Sequence, residues 1–351
     1  RTVYDFGQNA AGFVRFAAEG AAGARIIIDH SEILGPDRQF DNRNYRSARA
    51  QMHYTLKGGG SETYEPMFTF FGFRYARVKI EGQAELKSII LVPISSVPQV
   101  TGGFKCADKV VNRLVLNTIW SQRANFIEVP TDCPQRDERL GWTGDAQVFA
   151  PTACYLNDSH AFWVKWLRDL MCDQRADGAI PHVCPDPTRG HEDKVPGFFG
   201  STGWGDAIAV VPWTLWRHYG DKAILAETLP AMVRWSDFVW SISNGPVVRP
   251  PRIWGGRGFS FGDWLQPSGP TEKPLPTIGD DASATMSPER SGVLPWLKMM
   301  TASAPACSAK NALSPKLHVP RWTSAMSLSP EKSRPSKSAA SQPLSLARSP
   351  V

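Results

Sequence analysis

The sequence lacks paired cysteine motifs. Its six cysteines, Cys106, Cys133, Cys154, Cys172, Cys184 and Cys307, are scattered over 351 residues with no CxxC and no regular spacing. That pattern supports neither a zinc ribbon nor a disulfide framework. No stretch reaches 18 consecutive apolar residues, so no membrane span is expected, and no membrane partner. An excess of charge is also missing from the main body. The chain carries 39 Lys/Arg against 33 Asp/Glu, but nine of those bases and only two acids follow residue 282, which leaves 30 bases and 31 acids before it. A near-neutral body gives no footprint for nucleic acid, and no such partner is expected. From residue 283 onward Asp, Tyr and Phe are absent, and Gly292 is the only glycine. Ser and Pro dominate there, a composition unable to bury a core. The change falls inside what reads as the start of another helix. It therefore points to a shift of reading frame just after "PTIGDDA" rather than to a natural low-complexity tail. The chain opens with Arg1 instead of Met and reads as a strand almost at once, so a preceding segment, with any signal peptide, is expected.

What is abundant is tryptophan, with 13 residues. Trp stacks its flat apolar face on sugar rings, although most of these residues must pack in a core. Length allows two domains. Residues 1–97 carry short β-branched and aromatic runs, "FVRFAA", "ARIIIDH", "RYARVKI" and "SIILVPI", separated by turns such as "AEGAAGA" and "KGGGSE". Strands with no helix between them predict a β-sandwich. "SSVPQVTGGF" (95–104) reads as a linker. Beyond it the period becomes 3.6. Val111, Leu114, Val115, Thr118, Ile119 and Gln122 share one helix face. "AQVFAPTACYLND", "AFWVKWLRDLMCDQ", "DAIAVVPWTLWRHYG" and "ETLPAMVRWSDFVWSISN" are further helices, some with Pro near their expected starts. Helix after helix with long intervening loops predicts an α-barrel or bundle over residues 98–282, with the loops carrying the site.

"VPTDCPQRDERLGWTGDAQ" (129–147) concentrates the chemistry. Asp132, Asp137, Glu138 and Asp145 stand with Arg136 and Arg139 among Pro130, Pro134, Gly141, Trp142 and Gly144. The prolines keep Asp132 out of a helix. The glycines permit tight turns or close approach of a ligand. Asp145 falls near a helix N-terminus, where a carboxylate is favoured. Such a loop can gather Asp132, Glu138 and Asp145 around one cavity, with Arg136 tuning their charges. Glycosidic hydrolysis needs such a set: one carboxylic acid to protonate the leaving oxygen, and a second carboxylate to activate water or attack the sugar. Residue types alone leave a solvated loop of internal ion pairs equally open.

"TDCPQRDERLGWTGDAQVFAPTA" resembles the active-site signature of bacterial α-L-rhamnosidases of glycoside hydrolase family 78. "YDFGQNAAGFVRF", "SEILGPD", "RSARAQMHYTLKGGG" and "FTFFGFRYARV" resemble the β-sandwich preceding the catalytic domain in that family. "STGWGDAIAVVPW" and "FGDWLQPSGPTEKPL" resemble later loops of its (α/α)6 barrel. The resemblance covers residues 1 to about 282. It implies a β-sandwich followed by an incomplete (α/α)6 barrel, and an inverting hydrolase releasing terminal α-L-rhamnose from rhamnosides or oligosaccharides without a cofactor or metal. Glu138 matches the general acid, with Asp137 its rival. Asp132, Arg136, Trp142 and Asp145 match residues of the sugar pocket, and Asp137 is placed among the substrate-binding residues with them. Trp204, Asp206, Asp263 and Trp264 are the further substrate contacts implied. The family's general base lies in the last part of the barrel. Glu289 and Glu331 match no motif, so the base is expected to be missing and activity impaired. A half-built barrel also leaves apolar helix faces uncovered. His182 and Asp186 in "PHVCPDP", like His191 and Glu192, read better as ordinary loop residues than as metal ligands. Scattered thiols favour the bacterial cytoplasm over secretion. Another α-barrel exo-glycosidase or lyase, or a non-catalytic sugar-binding or structural fragment, remains the alternative.

Overall fold

A computed structural model describes residues 1–191 and 198–244, together with the backbone of three short stretches, 247–248, 252–254 and 257–258. Asp263, Trp264, Glu192 and the 283–351 tail lie outside the described residues.

The N-terminal unit is all β. Its strands are β1 (Thr2–Gly20), β2 (Arg25–Ser31), β3 (Ile33–Leu34), β4 (Phe40–Asp41), β5 (Gln51–Thr55), β6 (Ser61–Tyr64), β7 (Phe71–Glu81) and β8 (Ala84–Pro93). All pairings are antiparallel. The long β1 organises them. Its first half pairs with β7, from Thr2 opposite Val78 to Gly12 opposite Phe71. Its second half leaves β7 and runs between β6 and β8, with Phe16 opposite both Tyr64 and Ile89. Register shifts between Asp5 and Ala10, and between Ala17 and Ala18, let the strand bend from one partner set to the other. β2 joins β7 to β5 on the far side. Alternation along the strands then sends Phe16, Ile26, Ile28, Phe73 and Val78 into one shared core. There Phe16 meets the Tyr54 ring edge-on at 5.6 Å.

The helical unit contains α1 (Lys109–Asn125), a tight pair of two-residue strands β9 (Phe126–Ile127) and β10 (Val129–Pro130), then α2 (Thr143–Leu156), α3 (His160–Asp173), α4 (Ala207–Tyr219) and α5 (Lys222–Ser241). Asp108 caps α1 by accepting from Val110 N at 2.7 Å. Asp221 caps α5 the same way, accepting from Ala223 N at 2.9 Å. α5 thus begins five residues before the expected Glu227. Pro151, Pro212 and Pro230 lie inside their helices instead of near their starts. α4 packs against α2, α3 and α5. Trp163, Trp166 and Trp235 are fully buried in this core with Leu167, Leu170 and Leu215, so they serve packing.

Residues 95–104 form a strap tied to the helices. Asn157 Nδ2 donates to Val97 O at 3.0 Å and to Gln99 O at 3.2 Å, and Val97 is buried in the helical core. Of the face expected on α1, Gln122 is buried, Val111, Val115, Thr118 and Ile119 are half-buried and Leu114 is exposed; Val110 beside that face is also exposed, as are Val148 and Tyr155 of α2. No helix among the described residues is long and apolar enough to cross a membrane.

Candidate active site at the junction of the two units

The 131–142 loop is held from both sides. On the helical side, residues 141–143 run beside 181–184. Trp142 bridges Val183, Cys184 N donates to Gly141 O at 2.9 Å, and Thr143 N and Oγ1 both donate to His182 O at 2.9 Å. Gly141 is required at that crossing, because a Cβ there would collide with the Cys184 carbonyl. On the other side the loop lies on the β unit. Gly72 of β7 faces Pro134 so closely that a Cβ would stand 2.9 Å from its ring. Arg139 spreads over Phe70 at 4.5 Å and donates to Phe70 O at 3.3 Å.

Within this frame two carboxylates converge on one guanidinium. Arg136 Nη2 lies 3.1 Å from Asp132 Oδ2 and 2.8 Å from Glu138 Oε2, and Arg136 Nε donates to the same Glu138 oxygen at 3.0 Å. Asp132 Oδ1 accepts from Leu140 N at 3.0 Å. Glu138 Oε1 accepts from Trp142 Nε1 at 3.1 Å. Trp142 is half-buried, with its ring at an angle to Phe198 at 5.6 Å. Burial pushes the Asp132 carboxyl up, helped by the neighbouring Glu138 charge and against the pull of the Cys133 and Leu140 hydrogen bonds. Burial also pushes Glu138 up, but Arg136, Trp142 and Asp132 together outweigh it, and the net shift is downward. The pair therefore favours one proton on the Asp132 side and a charge on the Glu138 side. Asp145 stands in the first turn of α2, open to solvent. Crowding by protein and the charges of Asp132 and Glu138 push its carboxyl up.

Asp132, Cys133 and Glu138 bring possible ligand atoms within 4.8 Å of one another. Burial, however, pushes the Cys133 thiol up to about 11. Arg136 already lies between the carboxylates as their counter-charge. The donor set fits a guanidinium better than a metal ion.

Asp137 is separate from this cluster. Its Oδ2 accepts from Ser47 N at 3.3 Å and from the Ser47 hydroxyl, so it fastens the loop to the β unit, and the Ser47 hydrogen bond holds its carboxyl below the usual range. Trp204 reaches the site from the loop before α4: its indole lies against Gly144, where a Cβ would stand 2.8 Å away. Asp206 faces inward. Its Oδ2 accepts from Gly203 N and its Oδ1 from Trp235 Nε1, each at 2.9 Å. Both oxygens hold protein, which gives Asp206 a structural task. His182 is buried and accepts from Ser201 N at 3.1 Å, and burial lowers its pKa to about 3. Asp186 closes a local turn onto Thr188. Arg46 and Ser47 were not foreseen from the sequence. They lie 92 and 90 residues from their partners, and no local pattern links such distant positions.

Comparison with known proteins adds the family. The profile for the bacterial α-L-rhamnosidase six-hairpin glycosidase domain matches residues 99–282. The profile for the bacterial α-L-rhamnosidase concanavalin-like domain matches residues 1–94. An α-L-rhamnosidase from Streptomyces avermitilis is 43% identical over 272 residues, covering 77% of this chain and 25% of that protein. One from Formosa agariphila is 36% identical over 270 residues, covering 76% of this chain and 27% of that protein. The chain thus spans about a quarter of the length of these curated relatives. The crystal structure of the Streptomyces avermitilis enzyme complexed with L-rhamnose superposes with a TM-score of 0.63 at 39% identity, over 78% of this chain and 25% of that one. The native Aspergillus terreus enzyme gives a TM-score of 0.66 at 32% identity, over 86% of this chain and 36% of that one. A concanavalin-like β-sandwich followed by part of a six-hairpin (α/α)6 barrel is thereby the fold. The chain belongs to the bacterial α-L-rhamnosidase family.

Proposed function

We propose that this chain carries the proton-donating half of an inverting α-L-rhamnoside hydrolase. The observation that carries the reading is the Asp132–Arg136–Glu138 cluster beside Trp142, in a chain of this family. Glu138 is the general acid. It delivers a proton to the glycosidic oxygen as the bond to the anomeric carbon breaks. In the empty site Glu138 is the charged partner, so its proton comes through Asp132, whose carboxyl is within reach and favours the protonated form. Two groups that share a proton can exchange it when substrate shields the guanidinium from one of them. Asp132, Arg136 and Asp145 accept from or donate to the sugar hydroxyls. Trp142 and Trp204 offer flat apolar faces for the ring. None of the described carboxylates is assigned as the base; in this reading the water-activating group comes from outside residues 1–258. The chain alone is therefore expected to bind L-rhamnose better than it cleaves rhamnosides, the chemistry needing both groups.

The test has two arms. Calorimetry on this chain with L-rhamnose should show saturable heat, and a flat titration would remove the sugar site. In a complete rhamnosidase carrying this segment, Glu138→Gln should lower kcat on a rhamnoside with a poor leaving group at least about 100-fold, the range for a lost general acid, with little change in rhamnose affinity. Near-normal turnover would overturn the acid assignment.

A further inference from the structure

We propose that Arg46, carried by the β unit, is a positioning residue of the sugar-cleaving site: its guanidinium seats on Glu138 Oε2 and holds that carboxylate in place from across the domain junction. Arg46 Nη1 donates to Glu138 Oε2 at 3.1 Å. That oxygen thereby lies between two guanidinium groups, Arg136 from its own loop and Arg46 from the other unit. The placement is built. Arg46 follows the 3-10 turn Arg43–Tyr45, and its backbone takes a positive φ of 56°, a conformation a non-glycine residue adopts only where its surroundings fix it. Two contacts do so. The buried Tyr45 hydroxyl donates to Gly72 O, and Ser47 is fastened to Asp137, next to Glu138. Tyr45, Arg46 and Ser47 thus set one guanidinium on Glu138 while their neighbours anchor the loop that bears it.

The role differs from that of Arg136. The Arg136 side chain is 31% exposed and bridges both carboxylates. The Arg46 side chain is 55% exposed and touches Glu138 alone within that pair, with Asp137 at 3.9 Å. The charged groups that face Glu138 are Arg136 and Asp132 on its own loop, Asp145 on α2, and Arg46 from the β unit. Removing Arg46 leaves Glu138 facing one cation and two other acids, so its proton affinity must rise. The inference rests on Glu138 as the acid for its functional meaning, but the coupling can be measured without turnover.

The measurement is a 13C NMR titration of Glu138 in the full chain, with the resonance assigned by its loss in Glu138→Gln. Arg46→Gln should raise the Glu138 midpoint by about 0.2 to 0.7 of a unit, the range of an exposed pair. Arg46→Lys, which keeps the charge, should restore more than half of the shift. Should Arg46→Gln loosen the β unit, the unmodified chain serves. Raising salt from low to molar concentration screens the exposed Arg46 more than Arg136, so the midpoint should rise. A midpoint unmoved by the substitution and by salt overturns the proposal, as does Arg46→Lys behaving like Arg46→Gln. If the coupling is present but Glu138→Gln leaves hydrolysis intact in the complete enzyme, the acid reading fails and the Arg46 contact stands.

Discussion

Trp142 donates its indole N–H to Glu138 Oε1 across 3.1 Å, from four residues further along the same loop. The bond fixes which Glu138 oxygen faces the indole and leaves the other to the arginines. Trp142→Phe keeps an apolar ring beside Phe198, smaller than the indole, and removes the donor. A hydrogen bond to a charged group contributes about 1.5–3 kcal/mol. Turnover of a rhamnoside by a complete enzyme carrying this segment should therefore fall by about 10- to 100-fold. Steady-state kinetics reads this directly, and an unchanged kcat would show that the indole nitrogen has no part in orienting the acid.

Arg136 is the shared counter-charge of Asp132 and Glu138, whose side chains are 9% and 20% exposed. Arg136→Gln leaves two partly buried carboxylates facing each other, with only the exposed Arg46 against Glu138 and no cation against Asp132. Loss of one member of such a cluster should destabilise the chain by about 1–3 kcal/mol at pH 7. The loss should shrink toward pH 4, because both carboxyls take up protons there and the repulsion vanishes. Urea unfolding at the two pH values checks it. An equal loss at both would assign the effect to packing of the Arg136 stem.

The two architectures were legible in the sequence because each follows from a repeating rule. Alternation in "RYARVKI" and 3.6-residue spacing in "DKVVNRLVLNTIWSQRANF" are properties of neighbouring residues, and β7 and α1 form there. The gathering of Asp132, Arg136 and Glu138 was legible for the same reason, since all lie within one short loop. The hold on Asp206 was not legible because its sequence neighbourhood, "GWGDA", does not show that Trp235, 29 residues on, takes its Oδ1. Arg46 was missed because it reaches Glu138 only through the packing of one unit on the other. An ion pair that spans 92 residues has no local periodicity to betray it.

Asp145 is held against its own charge. Crowding and the nearby Asp132 and Glu138 push its carboxyl up, which exceeds the favour that a helix N-terminus gives an anion. A carboxyl whose folded pKa is raised contributes stability at low pH and loses it as pH rises through that pKa. Asp145→Asn should therefore stabilise the fold at pH 7, by about a few tenths of a kcal/mol after solvent screening, and should do nothing near pH 4. The same substitution should weaken L-rhamnose binding. Opposite signs for stability and binding would mark Asp145 as a residue kept for the ligand; a loss of both would make it structural.

His182 and His30 are each held neutral by burial, one in each unit. His182 sits behind the site loop and accepts from Ser201 N; burial lowers its pKa to about 3. His30 lies in the β core, stacked on Phe71 at 4.1 Å, and burial lowers its pKa to about 4. A histidine held neutral contributes stability that is complete above its ordinary pKa of about 6.5 and is lost as pH falls toward the folded value. Each residue should steepen the loss of stability by up to about 1.4 kcal/mol per pH unit below that point. His182→Gln retains a side-chain acceptor for Ser201 and cannot take up a proton. The helical unit of that variant should unfold with a flatter dependence between pH 6 and pH 4, followed by tryptophan fluorescence in urea. The β unit, governed by His30, should keep the slope of the unmodified chain. Parallel curves for the helical unit with and without His182 would show that its protonation is not what limits the fold in acid.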